Sequence, residues 1–264
     1  MHPLLNIGMR AARRAGDLIV RSLSRLDSIK IDTKGRNDFV SDVDRKAEAD
    51  IIATVRRSYP DHAFLAEESG RTGEGEFVWI IDPLDGTTNF LHGFPAFAVS
   101  IAVEHRNRLM HAVVYDPMRQ EFFTASRGEG AQLEGRKIRI STQRTLEGAL
   151  IGTGFPYRMG DHIDAYLAIL KVIMSTAAGV RRPGAASLDL AYVAAGRLDG
   201  FWEFGLSPWD TAAGTLLIQE AGGRVGTPAG LEYGLGRNVV AGNPKVYEAL
   251  IAAIGPLTPA ALRV

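Results

Sequence analysis

Residues 79–90 read WIIDPLDGTTNF, an apolar run ending in two aspartates that are separated by proline and leucine and followed at once by glycine and two threonines. The pattern predicts a buried strand through Trp79, Ile80 and Ile81. Pro83 disfavours the helical region for the residue before it and cannot donate to a sheet ladder, so the strand should end at an extended Asp82 and the chain should turn. In such a turn Asp82, the Leu84 carbonyl and Asp85 converge on one point, and oxygen donors without nitrogen or sulfur suit magnesium, manganese or calcium. Gly86 removes a side chain where the backbone must come close to something. Thr87, Thr88 and Asn89 add hydroxyls and a run of N–H groups at the start of a short helix, which together would receive an anion such as phosphate. A carboxylate pair beside an anion cradle points to metal-assisted phosphoryl chemistry. Asp-Pro and Asp-Gly are also ordinary turn formers and threonines ordinary helix caps, so this window alone leaves both readings open.

On the N-terminal side, Leu4, Leu5, Ile7, Ala11, Ala12, Ala15, Leu18, Ile19 and Leu23 recur at helical intervals. A polar link, DTKGRNDF, follows. The next segment, SDVDRKAEADIIATVRRSYP, offers Ser41 or Asp42 as N-cap, acids in its first turn, arginines in its last and Pro60 beyond, which predicts a second helix. From His62 onward short apolar runs between polar turns predict a largely antiparallel meander. Beyond it, ALIGTGF, GFWEFGL and NVVAGN read as strands. HIDAYLAILKVIMSTAA, ASLDLAYVAAGRL, PWDTAAGTLLIQEAGG and PKVYEALIAAI read as helices. Helices and sheets occur in both halves without a strict βαβ rhythm, which favours a layered α+β fold over a doubly wound parallel sheet. The expectation is one domain over 1–264 with a soft boundary between halves 1–145 and 146–264.

The chain of 264 residues is 46% hydrophobic and 23% charged, as globular proteins are. Thirty basic side chains balance thirty acidic ones, so no overall field would gather nucleic acid or a membrane surface, and direct nucleic-acid binding is not expected. No cysteine occurs, which removes disulfides, thiolate metal sites and cysteine nucleophiles. No apolar stretch approaches the roughly 20 residues of a membrane helix, and the N-terminus lacks a signal-peptide pattern, so a cytoplasmic location is expected. There is no dinucleotide fingerprint, phosphate-binding Walker loop, HExxH pair or G-x-S-x-G elbow.

Other acids stand at predicted element ends. Glu67 and Glu68 close a strand in AEES, Asp210 opens a helix in SPWDTAAG, and Asp44 lies in the first turn of the second helix. Each alone reads equally as a dipole-compensating or turn residue. Gathered at one mouth of the fold, they would repel one another unless a cation were present.

With these residues in hand, the chain resembles the inositol monophosphatase family of magnesium-dependent, lithium-sensitive phosphatases, most closely its bacterial SuhB-type branch. The resemblance rests on DFVSDVDRKAE, AEES, WIIDPLDGTTNF, FAVSIAV, RRPGAASLDLAYVAAGRLDGFWEFGL and PWDTAAG, in the family's order. It implies a five-layer αβαβα sandwich of the kind shared with fructose-1,6-bisphosphatases, usually dimeric. It implies that Glu67, Asp82, the Leu84 carbonyl, Asp85 and Asp210 hold two or three Mg²⁺ ions. By the same carry-over Gly86 and Thr87 bind phosphate together with Asp85, while Asp44, Thr87 and Glu67 serve the attacking water. Gly184, Ala185, Ala186 and Glu203 match positions that contact the inositol ring; where many relatives have serine or threonine at 185, this chain has alanine and loses any hydroxyl contact there. Lys34 is given no role. The expected reaction is hydrolysis of myo-inositol monophosphate by metal-activated water, with no phosphoenzyme. Related alternatives are fructose bisphosphate, 3′-phosphoadenosine phosphate or NADP as substrate. SuhB-type relatives also bring in a role with the transcription elongation machinery in antitermination and ribosomal RNA synthesis, for which the segment GVRRPG is read as a solvated loop or partner surface.

Overall fold

A computed structural model describes residues 2–35, 38–156 and 160–263; of the side chains at 28, 33–35, 38, 39 and 161, Lys34 among them, nothing is described. Helix α1 (Pro3–Ser22) starts behind His2, whose ring accepts the Leu4 N–H, and buries Leu4, Leu5, Ala11, Ala12, Ala15 and Ile19. The link before the second helix is more than a loop. It contains two strands, β1 (Ile31–Gly35) and β2 (Asp38–Ser41), paired antiparallel. Ser41 is the N-cap of α2 (Asp42–Arg56). Its hydroxyl accepts the Val43 and Asp44 N–H groups while Asp44 accepts the Ser41 N–H, a reciprocal capping box.

Strands β3 (Ala63–Ala66), β4 (Gly70–Thr72), β5 (Phe77–Asp85), β6 (Ala98–His105), β7 (Arg108–Asp116), β8 (Glu121–Ser126), β9 (Gly130–Leu133) and β10 (Arg136–Lys137) form an eight-stranded sheet in the order β10-β9-β8-β7-β6-β5-β3-β4. From β5 to β10 it is the expected antiparallel meander, but β3 lies parallel to β5. The β4 strand explains this departure. It pairs with the outer edge of β3, and the chain then crosses back to the other side of β3 to begin β5.

The second sheet has five strands in the order β12-β11-β13-β15-β14, from β11 (Leu150–Thr153), β12 (Gly179–Arg181), β13 (Gly200–Phe204), β14 (Arg224–Gly226) and β15 (Asn238–Gly242). Part of GVRRPG is thus an edge strand. The helices are the short α3 (Thr87–Leu91), then α4 (Ile163–Thr176), α5 (Ala186–Ala194), α6 (Pro208–Glu220) and α7 (Pro244–Ile254).

Three apolar cores stack these elements into five layers. Trp79, Ile81 and Val113 on one face of the large sheet pack with Ala11, Ile19 and Ile51 of α1 and α2. Val78, Ile80 and Val114 on its other face pack with Leu188, Leu190, Leu216 and Leu217 of α5 and α6, which also meet Phe201 and Val239 of the second sheet. Trp202 and Val240 cover the far side of that sheet with Tyr166, Ile169, Val246 and Leu250 of α4 and α7. The order is αβαβα, as the family resemblance implies. Both α5 and α6 are buried on nearly every side, which is why their sequences carry small and apolar residues all round instead of an amphipathic stripe.

Candidate active site

The two-residue period of a strand decides where the acids go. On β5, Asp82 continues the face of Val78 and Ile80, toward α6; on β3, Glu67 continues the face of Ala63 and Leu65, toward the same side. Parallel pairing puts Ala66 opposite Ile81, and the Glu67 N–H donates to the Ile81 carbonyl at 3.1 Å, so Glu67 and Asp82 lie side by side.

The strand does not end at Asp82, as Pro83 suggests. It continues to Asp85 through a bulge, with Asp82 opposite Ser100 and Asp85 opposite Ala98. That extra residue shifts the alternation by one, so Leu84 turns into the outer core beside Ile81 and Asp85 joins Asp82 on the inner face. Asp82 Oδ1 accepts the Leu84 N–H at 3.0 Å, which holds the bulge in shape.

Asp210 arrives from the other side as the third residue of α6. There it accepts the Ser207 N–H at 2.7 Å in a second capping box, and the Ser100 hydroxyl donates to the Trp209 carbonyl at 3.1 Å, tying the start of α6 to β6. Oxygens of Asp82, Asp85 and Asp210 all lie within 4.8 Å of one another. Burial and the neighbouring carboxylates of Glu67, Asp85 and Asp210 hold the Asp82 carboxyl well above its usual range. Burial, with Asp210 beside it, pushes Asp85 up to about 7. Groups left this uncomfortable by their surroundings are what a bound cation relieves, and the all-oxygen donor set is that of a hard divalent ion.

Gly86 follows at φ 94°, and a Cβ there would stand 2.9 Å from the Ala96 carbonyl oxygen and 3.3 Å from that of Gly184, so only glycine fits the turn. The Thr87 hydroxyl lies 2.9 Å from Asp44 Oδ1 and 3.1 Å from the Leu84 carbonyl and donates to one of them at a time. Asp44 is fully buried. Desolvation raises its pKa, and hydrogen bonds from Ser41 and Thr87 oppose the rise.

These groups border a cavity of about 440 Å³ lined by Glu67, Asp82, Leu84, Asp85, Gly86, Thr87, Gly184, Ala186, Glu203 and Asp210 among others. Of the site candidates singled out in the sequence, Asp44, Glu68 and Ala185 do not line it, and Glu68 borders a separate hollow along α2. Asp44 sits behind Thr87, and Ala185, the N-cap of α5, packs into the central core.

The structure adds residues that the sequence did not reveal. Ser187 donates both its N–H (2.7 Å) and its hydroxyl (2.6 Å) to Asp85 Oδ2, a link across 102 positions that joins α5 to the bulge. Asn89 does not present its side chain to an anion; its amide donates to the Ala96 and Pro183 carbonyls at 2.6 and 2.8 Å and holds the Gly184 turn against α3. Arg182, from the segment read as a solvated loop, borders the cavity with its guanidinium carbon 5.0 Å over the Phe155 ring. Gly154 makes room for Glu203, since a Cβ there would fall 1.9 Å from Glu203 Oε1. Among these the only legible signal was the paired glycines of GTGF, which mark a close approach without saying to what.

Comparison with known proteins agrees with this architecture. The model of the inositol monophosphatase family matches residues 1–256. The Nus factor SuhB of Pseudomonas aeruginosa is 56% identical over 273 residues, covering 100% of both chains. Among solved structures, the extragenic suppressor protein SuhB of Bartonella henselae superposes with a TM-score of 0.93 at 43% identity, over 96% of this chain and 98% of that one. The inositol monophosphatase of Anabaena gives a TM-score of 0.86 at 37% identity, over 98% and 97%.

Proposed function

The chain belongs to the inositol monophosphatase family, and from that premise we propose that it is a Mg²⁺-dependent phosphomonoesterase converting myo-inositol monophosphate and water to inositol and phosphate. The observation that carries this reading is the meeting of Asp82, Asp85 and Asp210 within 4.8 Å, two of them with carboxyls that burial and mutual repulsion push up, at the mouth of a cavity that also holds Glu67 and Thr87.

Glu67, Asp82, the Leu84 carbonyl, Asp85 and Asp210 would hold two or three ions. Bound there, Mg²⁺ supplies a lowered water pKa and neutralises charge that builds on the leaving oxygen. The protein's own groups do the rest. Thr87, anchored on Asp44, fixes the direction of the attacking water, and the backbone N–H groups at Gly86 and Thr87, in a turn that only glycine lets pack against the Ala96 and Gly184 carbonyls, bind the phosphate. Glu203, in the same lining, would accept hydroxyls of the ring, with Gly184 and Ala186 supplying backbone beside it. Ala185 offers the ring no side-chain contact, so selectivity falls to Glu203 and the backbone there.

Purified protein should hydrolyse myo-inositol monophosphate with a higher kcat/KM than fructose bisphosphate, 3′-phosphoadenosine phosphate or NADP, and only with Mg²⁺ present. Hydrolysis undiminished by a chelator, or a preference for one of the other three, would overturn the proposal.

A second reading draws on the full-length similarity to a protein named Nus factor SuhB: a role in the transcription elongation machinery, carried by the surface. Capture of elongation complexes by a catalytically inactive variant supports it, and capture lost together with activity refutes it. The exposed apolar side chains of α4, with Leu167 51% and Met174 64% exposed, favour a homodimer, which light scattering will show or exclude. No helix among the described residues is long and apolar enough to cross a membrane.

A further inference from the structure

Glu67 stands at the end of β3, in a turn that runs to Ser69 before β4 begins. Turns of this kind are usually the loosest part of a sheet, yet a metal ligand has to be held to a fraction of an ångström. On its N-terminal side Glu67 is fixed by its own N–H on the Ile81 carbonyl. On its C-terminal side the turn is fixed from beneath by Glu48, a residue of α2 that is 3% exposed. Glu48 Oε2 accepts the Glu68 N–H at 2.8 Å and Oε1 accepts the Ser69 N–H at 2.9 Å.

The first of these bonds orients the peptide plane between Glu67 and Glu68, so the planes on both sides of the Glu67 Cα are tied down and the direction of its side chain follows. Glu48 comes one turn after Asp44 on the same face of α2. A single helix therefore holds two separate parts of the site, Thr87 through Asp44 and the Glu67 turn through Glu48. A carboxylate this deeply buried needs donors, and two backbone N–H groups, one to each oxygen, supply charge-assisted bonds.

We infer that Glu48 is a positioning residue that sets the backbone of Glu67 for cation binding. This rests on the reading of Glu67 as a metal ligand. Replacement E48Q leaves one acceptor and sets an NH₂ group against the other N–H. Replacement E48D keeps the charge but withdraws the oxygens by one methylene. Neither residue can hold both peptide planes.

The test is Mn²⁺ binding to the purified full chain, followed by the electron paramagnetic resonance signal of the free ion. It runs beside thermal unfolding with and without Mn²⁺, on wild type, E48Q, E48D and I51V. The last trims the buried Ile51 of the same helix and reports destabilisation alone. Both Glu48 variants should bind Mn²⁺ about 10-fold more weakly, as loss of a ligand's supporting contact usually causes, and should gain less melting temperature from it. I51V should bind as wild type does. Either Glu48 variant, if folded and unchanged in Mn²⁺ affinity, overturns the inference, because a merely structural role would lower the melting temperature and leave the affinity alone. Weak binding by E48Q with normal binding by E48D overturns it too, since charge at a distance would then be the cause. Wild type failing to bind Mn²⁺ would instead refute the metal-dependent function itself.

Discussion

Replacing Asp85 with asparagine should make the metal-free protein more stable while it destroys the enzyme. Asp85 is 8% exposed, and its carboxyl is raised from the usual 3.8 to about 7, with burial and the nearby Asp210 outweighing the two donors from Ser187. Each unit of displacement is about 1.4 kcal/mol, so a carboxylate ionised there above neutral pH costs the fold on the order of 4 kcal/mol. The sign follows from the proton balance. Between about pH 4 and about pH 7 the folded protein keeps a proton that the unfolded chain has released, so stability is fullest below the unfolded value and is lost as pH rises through the folded one. Asparagine carries no charge and escapes that loss, less about 1–3 kcal/mol for an amide NH₂ buried where a carboxylate oxygen stood. A net gain on the order of 2 kcal/mol remains, which is a rise of about 4–8 °C in Tm for a chain of this size.

The assay is thermal unfolding of both proteins in chelator across this pH range. The variant's advantage should be absent near pH 4 and largest above pH 7. With saturating Mg²⁺ the order should invert, because only the wild type keeps its full ligand set. A variant less stable than wild type in chelator at every pH would show that the Asp85 carboxylate supports the fold, and the reasoning from crowded acids would fail.

Three further outcomes follow from the site. Thr87→Ala should lower kcat by at least about 100-fold, since it removes the group that aims the water, while Mn²⁺ affinity stays close to wild type; a parallel loss of affinity would make Thr87 a ligand support instead. Gly154→Ala forces the Glu203 carboxylate away from its place, so KM for inositol monophosphate should rise while hydrolysis of a simple aryl phosphate changes little. An equal effect on both substrates would remove Glu203 from ring recognition. Ser187→Ala deletes the hydroxyl donor to Asp85, so the Asp85 carboxyl should titrate still higher and the fall of metal-free stability should extend to higher pH; a fall that ends at the same pH as in wild type would mean that the backbone donors alone set it.

Much of this was legible in the chain because it is written locally. Ser41 with Asp44, and Ser207 with Asp210, are capping boxes readable from residue types three apart, and Pro208 and Pro244 sit in the first turns of their helices as sequence patterns anticipate. The close approach at Gly86 was likewise implied by its neighbours. What escaped depends on partners far along the chain. A run such as AFLA is apolar in either direction, so its parallel pairing with β5 comes only from the route taken by β4. Pro83 argued for the end of a strand, yet β6 alongside can absorb one unmatched residue, and the bulge that results is what brings Asp85 round to face Asp82. Ser187, Arg182 and Glu48 are ordinary residues of helix and loop until the fold sets them against Asp85, Phe155 and the Glu67 turn.

Crystals grown with Mn²⁺ and measured at its absorption edge test the central claim most directly, since anomalous scattering places the ion without reference to any assumption about ligands. The account predicts peaks bordered by Asp82, Asp85 and Asp210, with Glu67 at their edge. Protein that turns over substrate with Mn²⁺, yet shows no peak among those side chains, would contradict it.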